Sequence, residues 1–403
     1  MKGSLPSIKT NTDDNRIDMY MLEVYNPCRT GYDTFREEFL KGMRQCGLFN
    51  IYVVVEEFPA KQIQEEQKEE ATYIYLPPTQ HDKFAALEAY LKQTIRETER
   101  MVFISNFFPA IFNIKAIRHL FPQARIVHII HDLPWLSFFG GDENEYINYL
   151  CKEESRILTP QEDKFIRYCT YDMNASFQLT DKIVSLCRST YRMMTEFYDI
   201  PSEKVCLIPN GMEDHAFINY GEEERLRLKL KYRLPLSGKL ILMVGRLTHS
   251  KGADRIGQWL DCIKPTTGHH LIYAGPDDIF SWFPSSMAHS VVSIGFKKQP
   301  ELSEIYAAVD LGLFPSRHEQ CSYAGIEFLM HGIPVIATSA YGVRDMFNLK
   351  NAFMIPATGK SIATKDIRNK RKEARKSFLK KHTGKAMKEQ YISLILNLFS
   401  NQL

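Results

Sequence analysis

The sequence predicts an α/β protein built from two parallel-sheet domains, and three observations support this. Its 403 residues exceed what one hydrophobic core ordinarily organises, so two domains of roughly 200 residues are expected. Short apolar runs alternate with helical patterns through the first half, as strands do when helices cover both faces of a parallel sheet. The alternation starts afresh at Lys239, after a turn signal at Pro209-Asn-Gly-Met212 and a charged segment from Glu222 to Lys231. The expected division is 1–212, 213–384 and a closing helical segment, 385–403.

In the first half, residues 1–15 are polar and read as a loose arm. The first strand is Ile17 to Tyr25, and a turn, Asn26 to Tyr32, leads into a helical pattern from Asp33. Gly31 then falls at a strand-to-helix junction, where a missing side chain lets backbone approach a ligand; a plain turn explains it equally. Further strands are expected at Ile51–Val55, Tyr73–Leu76, Met101–Ser105, Ile126–His131, Lys182–Cys187 and Val205–Pro209. The charge-rich run Glu56 to Glu70 reads as a solvated helix or loop. Ligands of parallel sheets sit beyond the strands' carboxyl ends, which makes His131 a site candidate and leaves His128 as a packed histidine. Trp135 to Tyr146 is an aromatic loop with a glycine pair, readable as a hinge facing an acceptor or lipid, or as ordinary lid packing. Thr159-Pro-Gln-Glu162 is a capping box that opens a helix.

In the second half, the strand Lys239 to Gly245 runs into a loop carrying Arg246 and Lys251. The stretch Phe314 to Pro334 is an apolar strand, a polar turn and an amphipathic helix starting near Ser322, with Glu319 in the turn and Glu327 about one and a half turns into the helix. A helix start attracts phosphate through its unpaired amides and dipole, while carboxylates on either side accept hydrogen bonds from hydroxyls. The implied ligand is a sugar nucleotide. The plainer reading, Glu319 capping a loop and Glu327 solvated, stands level with it on this stretch alone.

Composition narrows the classes. A formal charge of +3 gives no reason to expect a nucleic-acid partner. The eight cysteines, 28, 46, 151, 169, 187, 206, 262 and 321, have no metal-ligand spacing and read as reduced thiols, several within strands. Asp277-Asp278, the nearest approach to a metal site, reads as a solvated turn. No apolar run approaches a membrane span and no signal-peptide core is present, so the expected location is cytoplasmic. Residues 365–388 hold eleven Lys/Arg against two acids, a pattern for docking on the inner face of an anionic membrane, for contacting an acidic acceptor or, more simply, for a solvated helix. Met387, Tyr391, Leu394, Ile395 and Leu398 form a buried helical stripe.

Val244-Gly-Arg246, Lys251-Gly, Tyr273-Ala-Gly-Pro276, Ser293-Ile-Gly-Phe296, Pro315-Ser316, the pair Glu319 and Glu327, and His331-Gly-Ile-Pro-Val-Ile-Ala337 follow in the order and spacing of the retaining glycosyltransferase family 4, which this chain resembles over about 205–345. The first half resembles it more loosely, through Gly31, His131-Asp132 and Pro209-Asn-Gly211. The resemblance implies the GT-B fold, two Rossmann-like domains facing across a cleft, with the last helix crossing back to the first domain. It implies transfer of a hexose from a nucleoside diphosphate sugar to a hydroxyl acceptor, with no metal or other cofactor; a non-catalytic GT-B scaffold is the alternative. Carried onto this chain, Arg246 and Lys251 hold the diphosphate, Glu319 and His131 the transferred sugar, Glu327 the ribose, and Gly31 lies beneath the phosphates. Ser322, Tyr323 and Ala324 supply the helix start, and Phe296 flanks the base. The resemblance also implies retention by front-face attack, with the departing phosphate oxygen taking the acceptor's proton. Two departures stand out: Gln320, Cys321 and Ser322 occupy positions where the family carries glycines, and Gly31 stands alone where a pair is common.

Overall fold

The computed structural model describes residues 16–28, 30–78, 83–105, 110–153, 156–216, 221–257, 268–282, 290–354 and 367–400. The expected arm 1–15 and Cys262 lie outside them.

The first sheet comprises β1 (Ile17–Val24), β2 (Phe49–Glu56), β3 (Gln64–Gln67), β4 (Thr72–Tyr75), β5 (Met101–Ser105), β6 (Arg125–Ile130), β7 (Lys182–Ser185) and β8 (Val205–Leu207). Their order is β3-β4-β2-β1-β5-β6-β7-β8. Strand β1 is buried on both faces because its sequence has no polar face to offer: Met19 and Met21 enter one core cluster, Tyr20 and Leu22 another. Tyr20 stacks on Tyr52 of β2 at 4.8 Å and Phe103 of β5 at 5.0 Å, an aromatic row across three strands that fixes their register.

Part of the charged run differs from expectation. Gln64–Gln67 is an edge strand, antiparallel to β4, with all four side chains exposed. An edge strand of Gln and Glu carries no apolar alternation, so periodicity cannot reveal it, and its polarity discourages further pairing. The cysteine expectation also needs correcting: of the described cysteines only Cys206 lies in a strand.

The second sheet is parallel throughout: β9 (Lys239–Val244), β10 (His269–Ala274), β11 (Val291–Ser293), β12 (Leu311–Phe314), β13 (Val335–Ala337) and β14 (Ala352–Met354), ordered β11-β10-β9-β12-β13-β14. In each sheet the order reverses beside its first strand, at β1/β5 and β9/β12, and a crevice opens beyond the carboxyl ends there.

The helix Gly384–Asn397 returns to the first domain and packs on Gly31–Cys46, Tyr391 lying against Phe39 at 5.0 Å and Phe35 at 6.2 Å. The two crossings between domains run side by side: Met212 N–H donates to the His382 carbonyl at 3.0 Å, and Gly384 N–H to the Met212 carbonyl at 2.7 Å. The basic helix Ile367–Lys381 is partly anchored, since Arg371 donates to the Val309 and Asp310 carbonyls and Arg375 to the Met330 carbonyl. Among the described residues no helix is long and apolar enough to cross a membrane.

Candidate active site

The second domain's wall begins where β12 ends. The turn Pro315 to Glu319 is gripped by backbone that only glycine permits: a Cβ at Gly252 would collide with the Pro315 carbonyl and one at Gly342 with the Glu319 carbonyl, and both have positive φ, 71° and 69°. From across the cleft Gly141 approaches the Arg317 carbonyl equally closely. Thus confined, the Glu319 carboxylate is 8% exposed and accepts from Lys251 Nζ at 2.6 Å and Ser316 Oγ at 2.8 Å. Arg317 fastens the Lys251 loop to the turn, donating to Asp254 twice at 2.7 Å.

The helix Tyr323–Met330 starts at Ser322, whose hydroxyl makes no cap bond. That leaves the first amides free of a side-chain acceptor from the cap residue. Glu327 is not the solvated residue of the plainer reading. It is 6% exposed and accepts from Tyr306 OH at 2.8 Å and from the Gln299 amide. Burial pushes its carboxyl up to about 7, against the opposing pull of those two donors. Tyr306 is in turn stacked on His331 at 4.8 Å, and the Gln299 carbonyl pairs with His215 at 3.2 Å.

The first domain's wall is aromatic. Gly31 opens the helix Gly31–Cys46, and a Cβ built there lies 4.0 Å from the Tyr323 ring of the other domain. Thr30 and Asp33 cap this helix with a capping box. Behind it, buried Glu23 accepts from Arg36 at 2.7 Å and Tyr32 OH at 3.1 Å. His131 is wedged between Tyr32 at 5.3 Å and Phe35 at 4.4 Å. Its Nε2 is shut off from solvent with no partner among the described residues, and burial pushes the ring down to about 3, so it is neutral. Asp132 next to it is exposed; its Oδ1 accepts from Leu133 N–H at 2.8 Å. Desolvation by neighbouring groups, with the charge of Glu319, pushes the Asp132 carboxyl up, countered first by the Leu133 N–H and then by Lys251. His128 is a packed residue, against Ser105 and Phe177. In the aromatic segment, Trp135 stacks on Tyr146 at 4.5 Å and meets Tyr341 of the second domain at 5.3 Å, which is lid packing.

The glycine-free loop 320–322 explains how the walls are joined. The Gln320 carbonyl oxygen accepts from Thr190 at 2.6 Å, and the Cys321 carbonyl accepts from Asn210 Nδ2 at 2.8 Å. Arg344–Glu143 at 2.7 Å and Ser189 N–H to Asp345 at 2.7 Å extend the seam.

The structure therefore gathers Lys251, Glu319, Ser322 and Tyr323 on one wall, with Glu327 deeper in the same helix, and faces them with Gly31, His131 and Asp132. Ala324, half-buried, packs on the core beside Tyr323. Arg246 and Phe296 stand exposed at the rim, Phe296 65% so, and Arg246 makes no ion pair among the described residues. Asp277 is not a solvated turn residue: it accepts from Leu247 N–H at 2.6 Å and from Tyr273 OH, bracing the loop that bears Arg246. A cavity of about 550 Å³ bordered by Arg225, Lys239, Asp310 and Arg371 lies at the amino ends of the second sheet, away from these residues. Sequence reasoning missed Asp132 as a site residue although it adjoins His131, and missed Ser316, Gln299, Tyr306 and Thr190. Ser316 was visible within its motif; the others reach the site only through tertiary contacts.

Residues 238–368 match the family described as Glycosyl transferases group 1. That stretch is similar to the group 1 glycosyltransferase domain. An uncharacterized glycosyltransferase of Methanocaldococcus jannaschii is 25% identical over 190 residues, 45% of this chain and 49% of that one. A D-inositol 3-phosphate glycosyltransferase of Thermobispora bispora is 26% identical over 181 residues, 41% and 42% of the two chains. The match thus spans about half or less of these curated relatives. Among solved structures, sucrose-phosphate synthase from Thermosynechococcus elongatus superposes with a TM-score of 0.71 at 15% identity, covering 96% of this chain and all of that one. Anabaena HepE in complex with UDP and glucose does so with 0.66 at 14%, covering 94% of this chain and all of that one. At such identities the likeness concerns the fold, and the fold is GT-B.

Proposed function

We propose that this protein is a retaining glycosyltransferase of family 4 that moves a hexose from a nucleoside diphosphate sugar to a hydroxyl acceptor. The observation that carries the reading is the Lys251–Glu319 pair at the start of the helix Tyr323–Met330, inside the matched domain and facing the first domain across the crevice. Lys251 keeps two of its three ammonium hydrogens while donating to Glu319, so one side chain serves both sugar-binding carboxylate and diphosphate. Arg246 swings in from the rim to the same anion. Breaking the glycosyl–phosphate bond leaves negative charge on the diphosphate, and these cations, with the amides of Tyr323 and Ala324 behind Ser322, stabilise it as it develops. That arrangement calls for no metal cofactor.

Glu319 takes hydroxyls of the transferred sugar, and Glu327 takes the ribose hydroxyls on lone pairs that Tyr306 and Gln299 leave open. Phe296 lies against the base, and Gly31 leaves room for the phosphates between the walls. His131, neutral and rigid, presents an edge to the sugar.

A thermal-shift panel of UDP, GDP, ADP and their glucose conjugates tests the reading. A ligand at one hundred times its Kd stabilises the native state by about 2.7 kcal/mol, so one base is expected to raise Tm clearly above the others. No shift with any of them at millimolar concentration sinks the donor site.

A further inference from the structure

We propose that the recess at the amino ends of β9 and β12, bordered by Arg225, Lys239, Arg368 and Arg371, is a binding site for a small phosphomonoester, separate from the donor crevice. The inference does not depend on the transfer reading above.

The recess measures about 550 Å³, and its border carries four cations against two carboxylates, Glu222 and Asp310. Three elements bring the cations together. Lys239 opens β9, Arg225 lies in the helix Glu222–Lys231, and Arg368 and Arg371 stand at the start of the basic helix Ile367–Lys381. Buried Asp310 is the hub: Leu240 N–H donates to its Oδ2 at 2.9 Å, while Arg225 Nη2 lies 2.8 Å and Lys239 Nζ 3.8 Å from its Oδ1. Against the push of burial, Arg225, the Leu240 amide and Lys239 hold this carboxyl below its ordinary range, so it is ionised. One carboxylate therefore meets two cations. Arg371 is aimed by neutral acceptors, the Val309 and Asp310 carbonyls, and exposed Arg368 makes no ion pair among the described residues.

The surplus charge is felt one turn along from Arg225. Lys229 is pushed below the ordinary lysine range by desolvation and by Arg225 and Lys239, although Asp310 and Glu222 pull the other way. Two surplus positive charges match a phosphomonoester, which carries about −1.5 to −2 at pH 7, and a guanidinium fork takes its oxygens in pairs. Ala307 and Ile367 add apolar border for an organic portion, and small-molecule pockets run from roughly 300 to 1,000 Å³, more than a bare phosphate fills. The six residues of β9 put roughly 20 Å of sheet between this recess and the loop bearing Arg246 and Lys251, so the donor does not reach it. The basic run 365–388, which the donor site leaves unused, gains a role at its leading end.

Thermal unfolding of the full chain with glucose 6-phosphate, inorganic phosphate, glucose, or potassium chloride at matched ionic strength tests the site. Glucose 6-phosphate is expected to raise Tm at millimolar concentration and inorganic phosphate to raise it less, with glucose and the salt without effect. Combining Lys239→Gln with Arg368→Gln alters the two least-tied cations and is expected to weaken the response at least about tenfold in concentration. Arg368→Glu alone, at an exposed position, gives the same test should the pair unfold the protein. Lys251→Ala, in the donor crevice, is expected to keep the response. A response that the salt reproduces, that survives in the recess variants, or that Lys251→Ala abolishes overturns the inference, as does no response to either phosphate compound. Co-sedimentation with phosphatidylglycerol vesicles in place of any soluble response assigns the cations to lipid headgroups and overturns it as well. Binding or failure of a nucleotide in these variants bears on the donor reading alone.

Discussion

The two walls of the cleft are built on different principles. The second domain's wall is charged and internally paired: Lys251, Ser316 and Glu319 form one cluster, and Gln299, Tyr306 and Glu327 another. The first domain's wall is aromatic and nearly neutral, with His131 caged by Tyr32 and Phe35 and Asp132 beside it carrying an open oxygen. The difference teaches which half of recognition tolerates variation. On the proposed reading, binding a diphosphate sugar needs fixed charges at a helix start, and here the loop after β9 brings Lys251 to the Glu319 turn that precedes that helix. On the same reading, an acceptor is met by shape and by a few groups drawn from separate strand ends.

Within the second wall the two glutamates differ as well, one held by a cation and the other by neutral donors. Lys251→Ala is the most damaging test of that contrast. Turnover, measured as nucleoside diphosphate release, is expected to fall about 10²–10³-fold, because the leaving charge loses a preorganised partner. Unchanged turnover would mean that the pair is structural.

Glu327 tests the other cluster through pH. Its folded-state pKa is raised from the ordinary carboxyl range to about 7, so the protonated form is the favoured native form. The stabilisation this gives is complete below the unfolded carboxyl's pKa and is lost as pH rises through about 7. By linkage the loss amounts to roughly 3 kcal/mol. Glu327→Gln, a mimic of the neutral form, is expected to gain on wild type in urea unfolding between pH 5 and 8. A difference that stays constant with pH would show the carboxyl to be ordinarily ionised.

The seam between the walls carries the smallest effect. Thr190→Val removes the hydroxyl that serves both Gln320 and Tyr341, at 2.6 and 2.9 Å, and is expected to cost about 1–2 kcal/mol. Donor-free small-angle scattering should then report a larger radius of gyration than wild type; an identical curve would show that the walls are held by packing alone.

The sheet alternation, the helix starting at Ser322 and the apolar stripe of the last helix were legible because each leaves a periodic or turn signal of its own, whereas that helix's return to the first domain was implied only by the family resemblance. The second wall was legible because Glu319, Ser322 and Glu327 are close in sequence. The first was not. Nothing local distinguishes Asp132 from a turn aspartate, and the status of His131 depends on Tyr32 and Phe35, about a hundred positions away. The segment with the glycine pair at 140–141 read equally as a hinge or as lid packing, and Gly141 serves as a close-packing point against Arg317. Gln320 looked like a defect in a glycine-rich loop and is instead an anchor to Thr190.

The paired crossings at Met212 and His382–Gly384 have a mechanical consequence. Because the chain leaves the first domain and comes back to it at one spot, the lobes share a double-ply joint, and any opening must pivot about that single seam instead of sliding. A protease cut in either ply alone would leave the lobes tethered by the other, so the molecule should migrate intact on a sizing column after a single nick there.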